Sequence, residues 1–289
     1  MLKKEIPRAL YGHIGGSGTW GCDFPEEVLF EGVKVLEGSL EFETPFGKTV
    51  PMKLLEIDGE YTADHNPKLI LDVVFHGWNG LSPYNELWEE RVFWVFQQAG
   101  VKFIIADGTV ACINPLLEVG DVIVPSDFID YTKRPYQISK FTKDILQMTD
   151  IICPNLKRIL LKQAQEYFGH VFSNGTYGVY EAPRLESAAE TNKFYHDHCD
   201  ILGHTMMPEA ALARAIGACY VPLYFVSSYA EGLHPHEFAR VGDWEHCASY
   251  IGNTVLGTFA EIDEKRFNCS CAKKRITLPD DICKRIRMR

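Results

Sequence analysis

The residues of this chain that could do chemistry fall into a few short segments. Gly12-His13-Ile14-Gly15-Gly16-Ser17-Gly18 is a glycine turn with a hydroxyl near its tip. Glycines let backbone N–H groups come close to an anion and Ser17 adds a side-chain donor, so the turn suits a phosphate. It lacks the Gly-Lys-Ser/Thr ending of a P-loop. Far along the chain, Pro183-Arg184-Leu185-Glu186 places a carboxylate just after a proline-fixed turn and just before an alanine-rich helix. Glu186 is either a helix-start residue favoured by the dipole or an acceptor for the N–H donors of a ligand. His204-Thr205-Met206-Met207-Pro208-Glu209 sets an imidazole and a hydroxyl ahead of a helix that begins with proline. His204 titrates near neutrality, which suits hydrogen bonding or acid–base work, or else it is a buried histidine satisfied by backbone. Glu209 reads as a first-turn acid.

Elements of two periods must position these groups. Residues 9–14 read as a strand feeding the glycine turn, and residues 68–75 and 101–106 as buried strands rich in branched side chains. Residues 84–99 carry Leu87, Trp88, Val92, Phe93, Val95 and Phe96 at helical spacing. Residues 120–125 read as turn and strand, 155–168 as a helix, 171–180, 200–202 and 221–227 as strands, and 208–216 as a helix. This alternation predicts an α/β fold whose mainly parallel or mixed sheet has helices on both faces. No linker or internal repeat divides the 289 residues. A single domain over 1–289 is expected, with 265–289 a C-terminal extension that turns cationic.

A formal net charge of −10 argues against nucleic acid or an anionic membrane as partner, so an anion must be held by a local pocket. No apolar run is long enough to cross a bilayer, and the first residues lack the apolar stretch of a signal peptide. A cytoplasmic location is expected. The nine cysteines, an odd count, favour free thiols in that setting. Cys112, Cys153, Cys199 and Cys219 read as small buried hydrophobes. Cys269-x-Cys271 is spaced too closely for a zinc knuckle, and no second pair completes four ligands, so no metal is expected. A redox-active pair is the sharper reading.

Taken together, the glycine turn, Gly175-Thr176-Tyr177-Gly178-Val179-Tyr180-Glu181-Ala182-Pro183-Arg184-Leu185-Glu186-Ser187-Ala188-Ala189-Glu190 and Thr205-Met206-Met207-Pro208-Glu209 resemble the trimeric purine nucleoside phosphorylase and methylthioadenosine phosphorylase family. The likeness runs from about Gly12 to Glu231. It implies a three-layer α/β/α sandwich around a mixed, mainly parallel central sheet, assembled as a homotrimer or a dimer of trimers. It also implies cleavage of a purine-type N-glycosidic bond by phosphate, giving free base and ribose 1-phosphate, with nucleoside and phosphate the only partners. No cofactor is implied beyond phosphate as co-substrate.

By the same resemblance, Ser17, His76, Thr109 and Thr205 hold phosphate. Glu186 binds the N1 and exocyclic edge of a 6-oxopurine, and Leu185 replaces an aromatic wall. His204 faces the sugar where the family has Met, and Glu209 fits a family carboxylate at the head of a helix. Ser228 stands where an Asn or Asp donates to N7 of the leaving base, with Glu231 or His234 as substitutes if the loop bends inward. Two departures stand out. Phe75-His76-Gly77-Trp78-Asn79-Gly80 lacks the phosphate-binding Arg, and Asp107 would oppose an anion unless it is turned away. They leave open a nucleoside hydrolase, with His204 or Glu186 positioning water, and a non-catalytic nucleoside-binding protein.

Overall fold

Among the described residues, eleven strands make one sheet: β1 (Tyr11–Gly15), β2 (Val33–Leu40), β3 (Met52–Ile57), β4 (Lys68–Val74), β5 (Phe103–Cys112), β6 (Val122–Ile123), β7 (Asp127–Asp130), β8 (Val171–Phe172), β9 (Thr176–Val179), β10 (Ile201–Gly203) and β11 (Cys219–Tyr229). The computed structural model describes residues 5–76, 88–134, 136–233, 241–279 and 282, with backbone alone at 241–243. Residues 77–80, 84–87, His234 and 284–289, to which the sequence reading assigned loop, helix, site or tail roles, lie outside them. The strand order is β8-β6-β11-β5-β1-β4-β3-β2, with β10, β9 and β7 continuing from the end of β5. β1 pairs in parallel with β4 and β5, and β5 in parallel with β11. The outer pairs β2–β3, β3–β4 and β6–β11 are antiparallel. The sheet is thus mixed with a parallel centre, and the central strands are the branched-residue runs that need two covered faces.

Five α-helices among the described residues cover it: α1 (Trp88–Ala99), α2 (Pro154–Ala164), α3 (Ala188–His196), α4 (Met206–Ile216) and α5 (Val241–Ala260). α1 packs on α4, α2 packs on α5, and both α2 and α4 rest on β11. This is the expected three-layer α/β/α arrangement. α3 opens with a capping box between Ser187 and Glu190, the pattern written as Ser-x-x-Glu in the sequence. Met207 has extended backbone inside α4, so the regular helix starts at Pro208, where the spacing put it.

Several elements differ from the sequence expectation: β3 and β7 were not anticipated, the expected strand over 171–180 divides into β8 and β9, and three further differences have a plain physical reason. β5 runs on past Ala106 to Cys112 because β11 supplies a parallel partner as far as Tyr229. β2 escapes a pattern reading because it is an edge strand with little burial. α5 escapes because Asn253, Thr254 and Thr258 sit on its buried face. The two threonine hydroxyls are satisfied within the helix, by Tyr250 O at 2.8 Å and Thr254 O at 2.6 Å.

Phe267 packs edge-on against Phe103 with ring centroids 4.8 Å apart, and Arg275–Ile276 pairs antiparallel with Ile145–Leu146. The chain after α5 is therefore fastened to the core as far as Ile276. One expectation is corrected outright. Cys153 and Cys219 are buried, but their sulfurs join those of Cys269 and Cys271 within 4.8 Å. A second pair of thiols does exist, brought by the fold and not by sequence spacing. Among the described residues, no helix is long and apolar enough to cross a membrane.

Candidate active site

β1 delivers the glycine turn to the end of the central strand, beside the point where β5 reaches Asp107. Asp107 is fully buried and faces inward. Its Oδ1 accepts the Gly16 and Thr19 N–H groups at 3.1 and 2.9 Å, and its Oδ2 accepts the Thr19 hydroxyl at 2.9 Å. His13 completes the arrangement, with Nε2 3.1 Å from Asp107 and Nδ1 2.7 Å from Asp72. Burial alone would lower the His13 pKa, but the hydrogen bonds from Asp107 and Asp72 outweigh it and raise the value to about 9. The imidazolium donates from both nitrogens, so Asp107 braces the turn and does not confront an anion.

The four residues expected to hold phosphate converge here. The Thr109 N–H donates to Ser17 Oγ at 2.9 Å, and the two hydroxyl oxygens are 2.8 Å apart. The Trp244 indole N–H donates to Ser17 O at 2.7 Å and pins the far side of the turn. Thr205 Oγ1 is 3.8 Å from the position a Cβ would take on Gly108. His76 Nδ1 is 2.7 Å from the corresponding position on Gly16. Its Nε2 bonds Glu209 Oε1, and Glu209 Oε2 accepts the Tyr220 hydroxyl at 2.9 Å.

Burial pushes the His76 pKa down, yet the Glu209 charge and hydrogen bond prevail, so the group sits above its ordinary value. Among the described residues its buried Nδ1 has no partner, which leaves a donor directed at the turn. Gly16 has no room for a side chain, since a Cβ would lie 2.3 Å from Asp107 O. Gly16→Ala is expected to displace the turn and lower activity by about a hundredfold or more, read from steady-state kinetics on folded protein.

At the other end, the Glu186 carboxylate is held between the Tyr180 hydroxyl at 2.6 Å and the Glu231 N–H at 2.9 Å. The Tyr180 ring meets the His204 ring edge-on at 4.4 Å. His204 Nδ1–H donates to Tyr180 O at 3.0 Å, and burial pushes its pKa down against that bond. His204 is therefore neutral, with Nε2 in the acceptor form. Arg134 fixes the backbone beneath it, donating to His204 O at 3.0 Å and Met207 O at 2.9 Å. Ser228 sits opposite Ala111 just past a bulge that follows Val226, the kind of irregularity that re-aims a side chain at a strand end. Leu185 is half exposed, in contrast to its buried neighbour Glu186.

Residues 91–249 match the sequence model of the phosphorylase superfamily. An S-methyl-5'-thioadenosine phosphorylase of Pyrococcus abyssi is 33% identical over 271 residues, covering 90% of this chain and 95% of the relative. The chain belongs to the phosphorylase superfamily. A probable 6-oxopurine nucleoside phosphorylase of Thermococcus kodakarensis is 28% identical, across 91% of this chain and 97% of that one. The crystal structure of a methylthioadenosine phosphorylase from an antarctic soil metagenomic library has a TM-score of 0.78 over 94% of each chain, at 22% identity. This last likeness is one of fold.

Within this superfamily member, sequence reasoning missed His13, Asp72 and Arg134 altogether. It also read Glu209 as a helix-start acid, whereas Glu209 is wholly buried as the partner of His76. A signal for His13 and Asp72 was present: each is a lone polar residue inside an apolar strand, and register places the two side by side. For Arg134 the sequence offered no comparable mark, while Glu209 was marked by the family resemblance and set aside for the helix-start reading.

Proposed function

We propose that this phosphorylase-superfamily chain cleaves the N-glycosidic bond of a 6-oxopurine nucleoside with inorganic phosphate. The products are free base and ribose 1-phosphate, with either hydroxyl or methylthio at the sugar 5' carbon. The observation that carries this reading is the convergence of Ser17, Thr109 and the Glu209-paired His76 on the glycine turn. The case for water as nucleophile drew on a missing Arg, and the Glu209 partner that raises the His76 pKa supports a histidine donor in its place.

In the proposed mechanism, Ser17, Thr109, Thr205 and His76 orient phosphate through hydroxyl, amide and imidazolium donors. The C1'–N9 bond breaks with its electron pair moving to the purine. A phosphate oxygen then bonds C1' of the oxocarbenium-like sugar. Ser228 hydrogen-bonds the N7 side as charge builds on the leaving base; its hydroxyl is too weak an acid to surrender its proton, so solvent protonates the base. His204, accepting at Nε2, orients a ribose hydroxyl.

Glu186 sets the base class. Its two oxygens are aligned by Tyr180 and Glu231, and a carboxylate accepts the N1–H of an oxopurine but repels the N1 lone pair of adenine. Relatives of both kinds exist, among them a probable S-methyl-5'-thioinosine phosphorylase of Thermodesulfovibrio yellowstonii at 25% identity. A cofactor-free homotrimer in the cytoplasm is the setting this reading carries by family resemblance, and a neighbouring subunit would cover Leu185.

The test is base release from inosine, guanosine, adenosine, methylthioadenosine and methylthioinosine in the presence of phosphate. Inosine-type or guanosine-type substrates are expected to lead. Glu186→Gln is expected to lower their kcat/KM by roughly tenfold to a hundredfold, with little effect on adenosine-type substrates. A wild-type preference for adenine nucleosides would sink the base assignment.

A further inference from the structure

Cys153, Cys219, Cys269 and Cys271 take no part in that chemistry, yet the fold gathers them from three distant places. Cys153 is the residue just before α2, Cys219 is the first residue of β11, and Cys269 and Cys271 belong to the segment after α5. The four sulfurs lie within 4.8 Å of one another, three of the residues being buried and Cys269 partly so. The Cys219 and Cys269 sulfurs are 3.2 Å apart. Backbone locks the first two elements together, since the Cys153 N–H donates to Tyr220 O at 2.9 Å. Cys22, Cys112, Cys199 and Cys247 stand outside the group.

We propose that these four thiols form a closed tetrathiolate site for Zn2+. Thiolate sulfurs placed tetrahedrally about 2.3 Å from zinc lie about 3.8 Å from one another. The cluster therefore closes around an ion with shifts of about an ångström or less. Binding makes four Zn–S bonds, and each thiol gives its proton to solvent; no electrons are transferred. Two disulfides would need closeness only within each pair, whereas all four sulfurs here lie within 4.8 Å of one another.

Four thiolates with a divalent ion keep a net negative charge, and the surroundings answer it. Arg214 is buried and feels the charges of Cys271, Cys153 and Cys219. Its guanidinium is fixed by the carbonyls of Gln147 and Asp150, each at 2.8 Å. The first amides of α2 add positive potential beside Cys153.

Position along β11 sets the role. Cys219 and Ser228 are at opposite ends of this strand, about 30 Å apart at ordinary strand rise. A four-thiolate site also has no open coordination position. The ion is structural, and it fastens the segment after α5 to the starts of α2 and β11.

The full chain, purified anaerobically under reducing conditions without chelator, is expected to carry about one zinc per chain by elemental mass spectrometry. One equivalent of Co2+ added to the metal-free reduced chain should give thiolate-to-cobalt charge-transfer and tetrahedral ligand-field bands. Cys269→Ser/Cys271→Ser should hold about tenfold less zinc, and Cys112→Ser as much as wild type. If the double variant does not fold, the Co2+ titration of the wild-type chain decides. Absence of zinc with a silent Co2+ titration overturns the proposal. So do two disulfides among these four residues in the anaerobic protein, or full zinc retention by the double variant.

Discussion

His13→Asn is expected to destabilise the protein by roughly 3–5 kcal/mol, the range for removing one partner of a buried ionic group. Asp72 and Asp107 would then face each other in the interior with no cation between them, 3% and 0% exposed. Asn can replace one hydrogen bond but not the charge. The wild-type protein should show a matching pH dependence. The folded His13 pKa of about 9 is above its unfolded value of 6.5. Its stabilisation is therefore fully present below the unfolded value and is lost as pH rises through about 9. Urea denaturation at about pH 6 and about pH 9.5 brackets that window. Wild type should lose stability between the two, and His13→Asn should lose much less. A variant within about 1 kcal/mol of wild type at the lower pH would show that the triad is not an ion pair of consequence.

The second large effect is on catalysis. His76→Gln is expected to lower kcat/KM for phosphate by about a hundredfold to a thousandfold, the scale for deleting one donor that meets developing or bound negative charge. Affinity for the nucleoside should change far less, because His76 lies against Gly16 and not against Tyr180 or Glu186. Glu209→Gln probes the same pair from the other side. Glu209 is what lifts the His76 pKa against burial, so without it the imidazole loses its proton at lower pH. The alkaline limb of the phosphorolysis profile should move to lower pH, with the acid limb unchanged. An unaltered phosphate KM in His76→Gln would remove this residue from the site.

Much of the fold could be read from local pattern because local pattern is what builds it. The branched runs in β1, β4 and the first half of β5, the proline at the start of α4 and the Ser187–Glu190 capping box each act within a few residues. Ser17, Thr109, Thr205 and Glu186 were nominated by resemblance to family motifs, which lie beside glycine or proline turns. What escaped was made by register and long-range packing. His13 meets Asp72 and Asp107 only because three strands align, and His76 meets Glu209 across 133 residues of chain. The loop that lacks the phosphate Arg holds His76, and the residue that raises the His76 pKa, Glu209, stands on a distant helix. The cysteine cluster follows the same rule, since only the fold brings Cys153 and Cys219 to Cys269 and Cys271.

The most direct test of the central claim is the identity of the sugar product when a cleavable 6-oxopurine nucleoside is turned over with and without inorganic phosphate. Ribose 1-phosphate formed in step with free base, and only when phosphate is present, is the predicted result. Free ribose released at the same rate in both conditions would contradict it and make water the nucleophile.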